Sequence, residues 1–272
     1  MTTTGRDLYT LTDLTSGYSQ PIGVGFSDPQ DRDLWTKNLR DGAVDLDKFL
    51  DIFFGSHFPE LRDRPIHLAA ESFGGKYGPV YADMMRRKFS SVVLVNAMVN
   101  FPNVQLGLYD HFCDQKRLAE VSTRGMSASS CREMEALYPD CERQGRLCDA
   151  TYDTETCRIA ALEKCFALQQ VYWRHVVPGG ENPYDDRASC LHNPPICGRL
   201  GMEAVAAYLN QGWVQDALGL NRRHFKPVNM DFNVWWSDKA DMLVPSTREI
   251  ARLLDEKDTS ILVLNGNNDA IV

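Results

Sequence analysis

The sequence predicts an α/β fold, a doubly wound parallel sheet interrupted by a large, mostly helical insertion. Three observations carry this. Residues 36–95 read helix, strand, helix, strand, the alternation that folds into a parallel sheet with helices on its faces. Val92-Val93-Leu94-Val95 is a short, continuous, β-branched run, which suits a strand buried on both faces. All eight Cys lie between Cys113 and Cys197, in a stretch of helix-like pieces that breaks the alternation.

Taken in order, Gln20-Pro21-Ile22-Gly23-Val24-Gly25-Phe26-Ser27 is a Gly-punctuated apolar stretch, expected to be a strand end running into a loop. A helix is expected over 36–55, because Ala43, Leu46, Leu50, Phe53 and Phe54 recur at helical spacing. Pro59 and the charged residues 60–64 form a loop. An apolar strand then ends at Ser72, and a helix is expected over 77–88. The insertion spans 101–246, with helices over 158–175 and 202–218. The sheet pattern returns with a short helix over 247–254 and a buried strand over 260–265. The domains therefore read as 1–100, first part of the core; 101–246, a cap holding every Cys; and 247–272, the return to the core.

Composition narrows the function. The chain of 272 residues is 43% hydrophobic and 24% charged, enough to bury a substantial core. A net charge of -8 argues against nucleic acid as a partner, since phosphate binding wants a basic surface. Arg86-Arg87-Lys88 and Arg222-Arg223 read as solvated helix faces. No apolar run approaches the roughly 18–20 residues that cross a bilayer, so no membrane partner is expected. An even number of Cys in one segment reads as a disulfide framework. Zinc is the alternative, but there is no C-x2-C pair and the spacings do not fit a compact four-ligand site. Disulfides imply an oxidising compartment. That conflicts with residues 1–16, which have no apolar stretch and no secretory signal, so either the true start lies upstream or the product is not exported as written.

The stretch with chemistry is Ala70-Glu71-Ser72-Phe73-Gly74-Gly75-Lys76-Tyr77. Strand, sharp turn with a Ser, then helix is the nucleophile elbow of α/β hydrolases. Small neighbours let two backbones approach there. The usual pattern is G-x-S-x-G; Ala70 stands at the first Gly and Gly74 keeps the second. By itself the stretch is more simply an ordinary strand-to-helix turn. A triad also needs a base and an orienting carboxylate. Asp269 follows the last apolar run through Gly266-Asn267-Asn268, where an acid member would stand; a solvated turn Asp is the equal alternative.

Several ordered motifs resemble the serine carboxypeptidases of the carboxypeptidase Y type. The elbow is similar to that family's G-E-S-Y-A-G-H-Y, and residues 20–27 to its D-Q-P-V-N-V-G-F-S. Asn182-Pro183-Tyr184-Asp185 resembles N-V-Y-D, Tyr208-Leu209-Asn210-Gln211 matches Y-L-N-Q, and residues 262–269 resemble V-Y-A-G-D-K-D. The likeness covers roughly 18 to 272. It implies a partial α/β-hydrolase fold with a disulfide-rich helical cap, no cofactor, no metal, and peptide or protein C-termini as substrate. It implies Ser72 as the nucleophile, Phe73 N–H as an oxyanion-hole donor, Glu71 as a binder of the substrate's terminal carboxylate, and Asp269 as the orienting acid. Residues 20–26 would line the cleft. It implies the pairs Cys113–Cys131, Cys141–Cys165, Cys148–Cys157 and Cys190–Cys197, and a vacuolar, lysosome-like or extracellular location.

The sequence departs from the family at both ends. The W-N-G-G-P-G-C-S-S stretch is not found before Gln20, and Val228 stands where its Cys would pair. The family's triad His follows the Asp by several tens of residues, whereas His57, His67, His111, His175, His192 and His224 all precede Asp269. His67 is expected at the core or sheet edge; His111, His175, His192 and His224 are expected at the surface of the cap. The expectation is a chain truncated at both ends, with little or no peptidase activity of its own. The competing readings are an acyltransferase on the same scaffold and a non-catalytic binding protein.

Overall fold

The computed structural model describes residues 21–27, 29, 31–114, 125–190, 202–220, 224–237 and 239–272. Gln20, His192, Cys197 and Arg222-Arg223 lie outside the described residues. Two compact units are formed, one from the described residues of Met1–Ala97, Ala204–Lys239 and Ser246–Leu264, the other from those of Met98–Glu203, Ala240–Pro245 and Asn265–Val272. The stretch Ala204–Lys239, expected within the insertion, thus groups with the sheet.

In the first unit, helix α1 spans Leu39–Ile52. Asn38 caps it, its Oδ1 accepting from the Asp41 N–H at 2.8 Å. Leu39, Ala43, Leu46 and Leu50 share its buried face, the i, i+4, i+7, i+11 series the sequence carries. Strand β1 (His67–Ser72), helix α2 (Gly74–Met84) and strand β2 (Ser91–Ala97) follow. β1 pairs in parallel with β2, His67 opposite Ser91, and β2 pairs in parallel with the late strand at Ser91 and Ser260. Val92 and Leu94 of the central strand are buried. Helix α2 ends earlier than 88, so Arg86 lies beyond it and forms ion pairs with Asp47 (2.7 Å) and Asp51 of α1.

The second unit is helical. Helix α3 (Phe101–Cys113) is capped by Asn100, whose Oδ1 accepts from Asn103 N–H at 3.3 Å. Helix α4 (Ala128–Thr151) ends where Tyr152 takes a left-handed φ of 51°. Phe112, Met134, Leu168 and Tyr172 form the centre of its core. Three disulfides join Cys113 to Cys131, Cys141 to Cys165 and Cys148 to Cys157, the pairs the resemblance implies. Cys190 is also disulfide-bonded; its expected partner, Cys197, is outside the described residues.

The single helix expected over 158–175 is instead α5 (Thr154–Arg158), a π-helical stretch (Ile159–Cys165) and α6 (Phe166–Gly179). The disulfides supply a reason. Cys141 and Cys148 lie seven residues apart on α4, while their partners Cys165 and Cys157 lie eight apart. The π-helical stretch between Cys157 and Cys165 absorbs the extra residue and keeps both sulfurs on the α4 side. Strands β3 (Glu181–Asn182) and β4 (Asp185–Ser189) then form an antiparallel hairpin.

Four further expectations are corrected. Residues 21–27 are not a strand end: Gly25–Ser27 is a 3₁₀ turn, with Gly23 at φ 121° and Gly25 at φ 53°, angles that favour Gly and break a strand. The helix expected over 202–218 is two, α7 (Met202–Leu209) and α8 (Gly212–Ala217). Asn210 causes the break: its Nδ2 donates to the Ala206 and Phe225 carbonyls (2.8 and 2.9 Å) and its Oδ1 accepts from Phe225 N–H (2.7 Å), competing with helix bonding. After helices α9 (Met230–Ser237) and α10 (Thr247–Asp255), strand β5 (Ser260–Leu264) is not buried. It is an outer strand of the order β1-β2-β5, and Leu262, Val263 and Leu264 are 50%, 61% and 49% exposed. Finally, His111 is buried, not superficial, because it pairs with Asp186 at 2.5 Å inside the helical unit.

Candidate active site

Glu71, Ser72 and Phe73 stand together at the carboxyl end of β1. Ser72 has φ 56°, a left-handed backbone that costs a non-Gly residue on the order of 1–3 kcal/mol. Its register with β2 slips there, Glu71 facing Val95 but Ser72 facing Ala97. Phe73 is already helical, φ -58° and ψ -16°, and α2 begins at Gly74. Strand, strained Ser and helix thus succeed one another within three residues. Ser72 is half-buried and Glu71 exposed.

The turn is possible because α2 lies hard against β1. A Cβ placed on Gly78 would come within 2.7 Å of the Ala70 Cβ, and one on Gly74 within 3.1 Å. Ala70 therefore fills the site of the missing first Gly, and Gly74 and Gly78 on the helix side make the room. One turn into α2, Lys76 is wholly buried and its N–H donates to the Phe73 carbonyl at 2.9 Å. The Phe73 and Tyr77 rings meet edge to face at 5.0 Å, and Tyr77 continues to Trp236 at 6.3 Å.

The segment implied to line the cleft is held in the same unit. Asn229 Nδ2 donates to the Gly23 carbonyl at 2.7 Å. The Phe232 ring lies where a Gly23 side chain would be, 2.4 Å from its ideal Cβ, and Trp35 packs on Phe232 at 5.4 Å. Gly23 is required there by both its angle and the lack of space.

Asp269 belongs to the other unit. Its N–H donates to the Gly266 carbonyl at 3.4 Å and its Oδ1 accepts from Ile271 N–H at 2.9 Å, so the carboxylate is tied into its own turn. Nearby, burial pushes the Tyr172 phenol well above its ordinary range, and the carboxylates of Glu181, Asp186 and Asp269 push it the same way. Sequence reading missed Lys76, Tyr172 and the buried His111–Asp186 pair; only the replacement of the family's His by Lys76 left a signal in the sequence.

The family model described as serine carboxypeptidase matches residues 18–272. The chain belongs to the serine carboxypeptidases. It is 30% identical to "Carboxypeptidase Y" of Komagataella phaffii over 259 residues, 93% of this chain and 46% of that protein. It is 29% identical to "Carboxypeptidase Y homolog A" of Ajellomyces capsulatus, covering 93% of this chain and 44% of the relative. The chain thus spans about half the length of the relatives it matches. Its fold resembles the crystal structure of Kex1(delta)p, a prohormone-processing carboxypeptidase from Saccharomyces cerevisiae, with a TM-score of 0.70 and 22% identity, over 93% of this chain and 56% of that one. That likeness shows a partial α/β-hydrolase fold, and the helical, disulfide-bonded unit is consistent with the expected cap.

Proposed function

We propose that these residues supply the nucleophile and orienting acid of a serine-type carboxypeptidase, which removes C-terminal residues from peptides or proteins through an acyl-enzyme on Ser72. One observation carries the reading: a left-handed Ser72 between the end of β1 and the start of α2. Such a turn presents a hydroxyl at the strand end beside the N–H groups of a helix N-terminus.

The roles follow from position. Ser72 Oγ attacks the last peptide carbonyl, and its proton passes through a base to the leaving amine as the C–N bond breaks. Water then cleaves the ester. Phe73 N–H donates to the oxyanion. Glu71, exposed beside the nucleophile, binds the terminal carboxylate of the substrate. Asp269 orients and stabilises the base. Among these 272 residues no His follows Asp269. The disulfides favour an oxidising compartment of the secretory pathway or vacuole.

The test is reaction of the native gene product with a fluorophosphonate probe, with a blocked dipeptide and an acyl-glucose as alternative substrates. Labelling at Ser72 and release of a C-terminal amino acid, both lost in Ser72→Ala, are expected. Turnover of acyl-glucose with an alcohol acceptor and not of the dipeptide assigns an acyltransferase. No labelling at Ser72 assigns a non-catalytic protein and overturns the proposal.

A further inference from the structure

The strongest cluster outside the elbow is buried in the helical unit. His111, on α3, and Asp186, on β4, are 7% and 6% exposed. His111 Nε2 lies 2.5 Å from Asp186 Oδ2. The other carboxylate oxygen, Oδ1, accepts from Asn268 Nδ2 at 2.8 Å. The backbone repeats the link, Asp186 N–H donating to the Asn268 carbonyl at 3.0 Å. Two residues on, Ala270 N–H donates to the Pro183 carbonyl at 2.9 Å. Asp269 is therefore bracketed: the residue before it is bound to Asp186 and the residue after it to Pro183, both of the hairpin segment 181–189.

We propose that His111 and Asp186 are positioning residues for Asp269, the buried chain His111–Asp186–Asn268 holding the turn that presents the orienting carboxylate. This rests on the reading of Asp269 as the triad acid. A carboxylate this deeply buried needs hydrogen-bond partners. His111 and Asn268 supply them, one on each oxygen. With Asp186 so fixed, Asn268 has one arrangement that satisfies both its side chain and its carbonyl, and the direction of the next residue is set. Catalytic carboxylates need placing to within about 0.5 Å, and an irregular turn does not hold itself to that tolerance without such bracing. Ala270 is itself buried in the core with Phe112 and Tyr172, which anchors the far side of the turn.

The proposal predicts a graded series. Asp186→Ala and His111→Ala are expected to speed amide hydrogen exchange at Ala270 and Ile271 at least tenfold. Exchange in β1 and β2 should not change. His111→Gln, whose Nε2–H still reaches Asp186, is expected to stay within about twofold of the parent, which a purely space-filling role for the imidazole would not produce. Unchanged exchange at Ala270 and Ile271 in Asp186→Ala overturns the proposal, as does equal loosening in His111→Gln and His111→Ala.

Ser72 labelling of the native gene product separates this from the role of Asp269. If Asp269→Ala leaves labelling unchanged, the acid assignment fails, and exchange still decides whether the network holds the turn. If Asp269→Ala slows labelling at least tenfold and Asp186→Ala does not, the positioning role is overturned although the acid assignment stands.

Discussion

The Ser246 hydroxyl donates to the Gly75 carbonyl at 2.6 Å, and Gly75 is the residue whose helical donor is missing. Pro79 lies inside α2 and has no N–H to give to the carbonyl four residues back. Ser246, immediately before α10 and 1% exposed, supplies that bond from elsewhere in the unit. It makes no side-chain cap on its own helix. A helix that starts at the candidate nucleophile thus tolerates a proline because a distant hydroxyl completes it.

Ser246→Ala is accordingly expected to lower stability by about 1–3 kcal/mol, the cost of a buried carbonyl left without a partner. Chemical denaturation measures it. Pro79→Ala restores the helical N–H, so in the double variant the loss from Ser246→Ala should be much smaller than in the single one. Equal losses in both backgrounds would show that the hydroxyl acts in some other way.

Gly78→Ala places a methyl 2.7 Å from the Ala70 Cβ. Overpacking of this kind costs about 1–3 kcal/mol. Because the clash lies directly behind the elbow, Ser72 labelling should fall with stability, and Ala70→Gly in the same chain should return part of both. Thermal unfolding and probe labelling together check this.

Asp45 of α1 is half-buried, and its carboxyl is held above the ordinary carboxylate range, first by burial and then by Asp41, with Lys48 opposing. A raised acid binds its proton more tightly folded than unfolded. Its contribution is therefore fully present at low pH and is lost as pH rises through the folded value. Asp45→Asn is expected to raise the melting temperature slightly at neutral pH and to leave it unchanged below the carboxylate range. A stabilisation independent of pH would contradict this.

Removing the Cys141–Cys165 bridge by Cys141→Ser with Cys165→Ser is expected to cost about 2–4 kcal/mol, because it closes a loop between residues 24 apart in sequence. The π-helical stretch Ile159–Cys165 should then relax, read as altered amide exchange confined to that segment. Unchanged exchange there would mean that packing and not the bridges sets the widened turns.

Glu71→Gln tests substrate recognition. The variant keeps the size of the side chain but removes its carboxyl, so it should change KM for peptides with a free C-terminus and not for C-terminal amides, while changing kcat little. Parallel loss of kcat would place Glu71 in the chemistry instead.

The sequence by itself determined the local pieces and the family. The apolar series of α1, the β-branched run of β2 and the small residues around Ser72 are short-range patterns, and each gave the element found. The family's ordered motifs carried three disulfide pairs that spacing alone left open. Tertiary structure decided burial and partnership. His111 looks like any helical His until Asp186, 75 residues later, meets it. Nothing in the sequence around Ser246 points to Gly75, 171 residues earlier, which takes its hydroxyl. The run Ser260–Leu264 reads as a buried strand because its residues are apolar, yet it lies at the edge of the order β1-β2-β5. The reason is common to all three. Periodicity records what a segment wants to bury, whereas the partner that buries it or bonds it comes from another part of the chain.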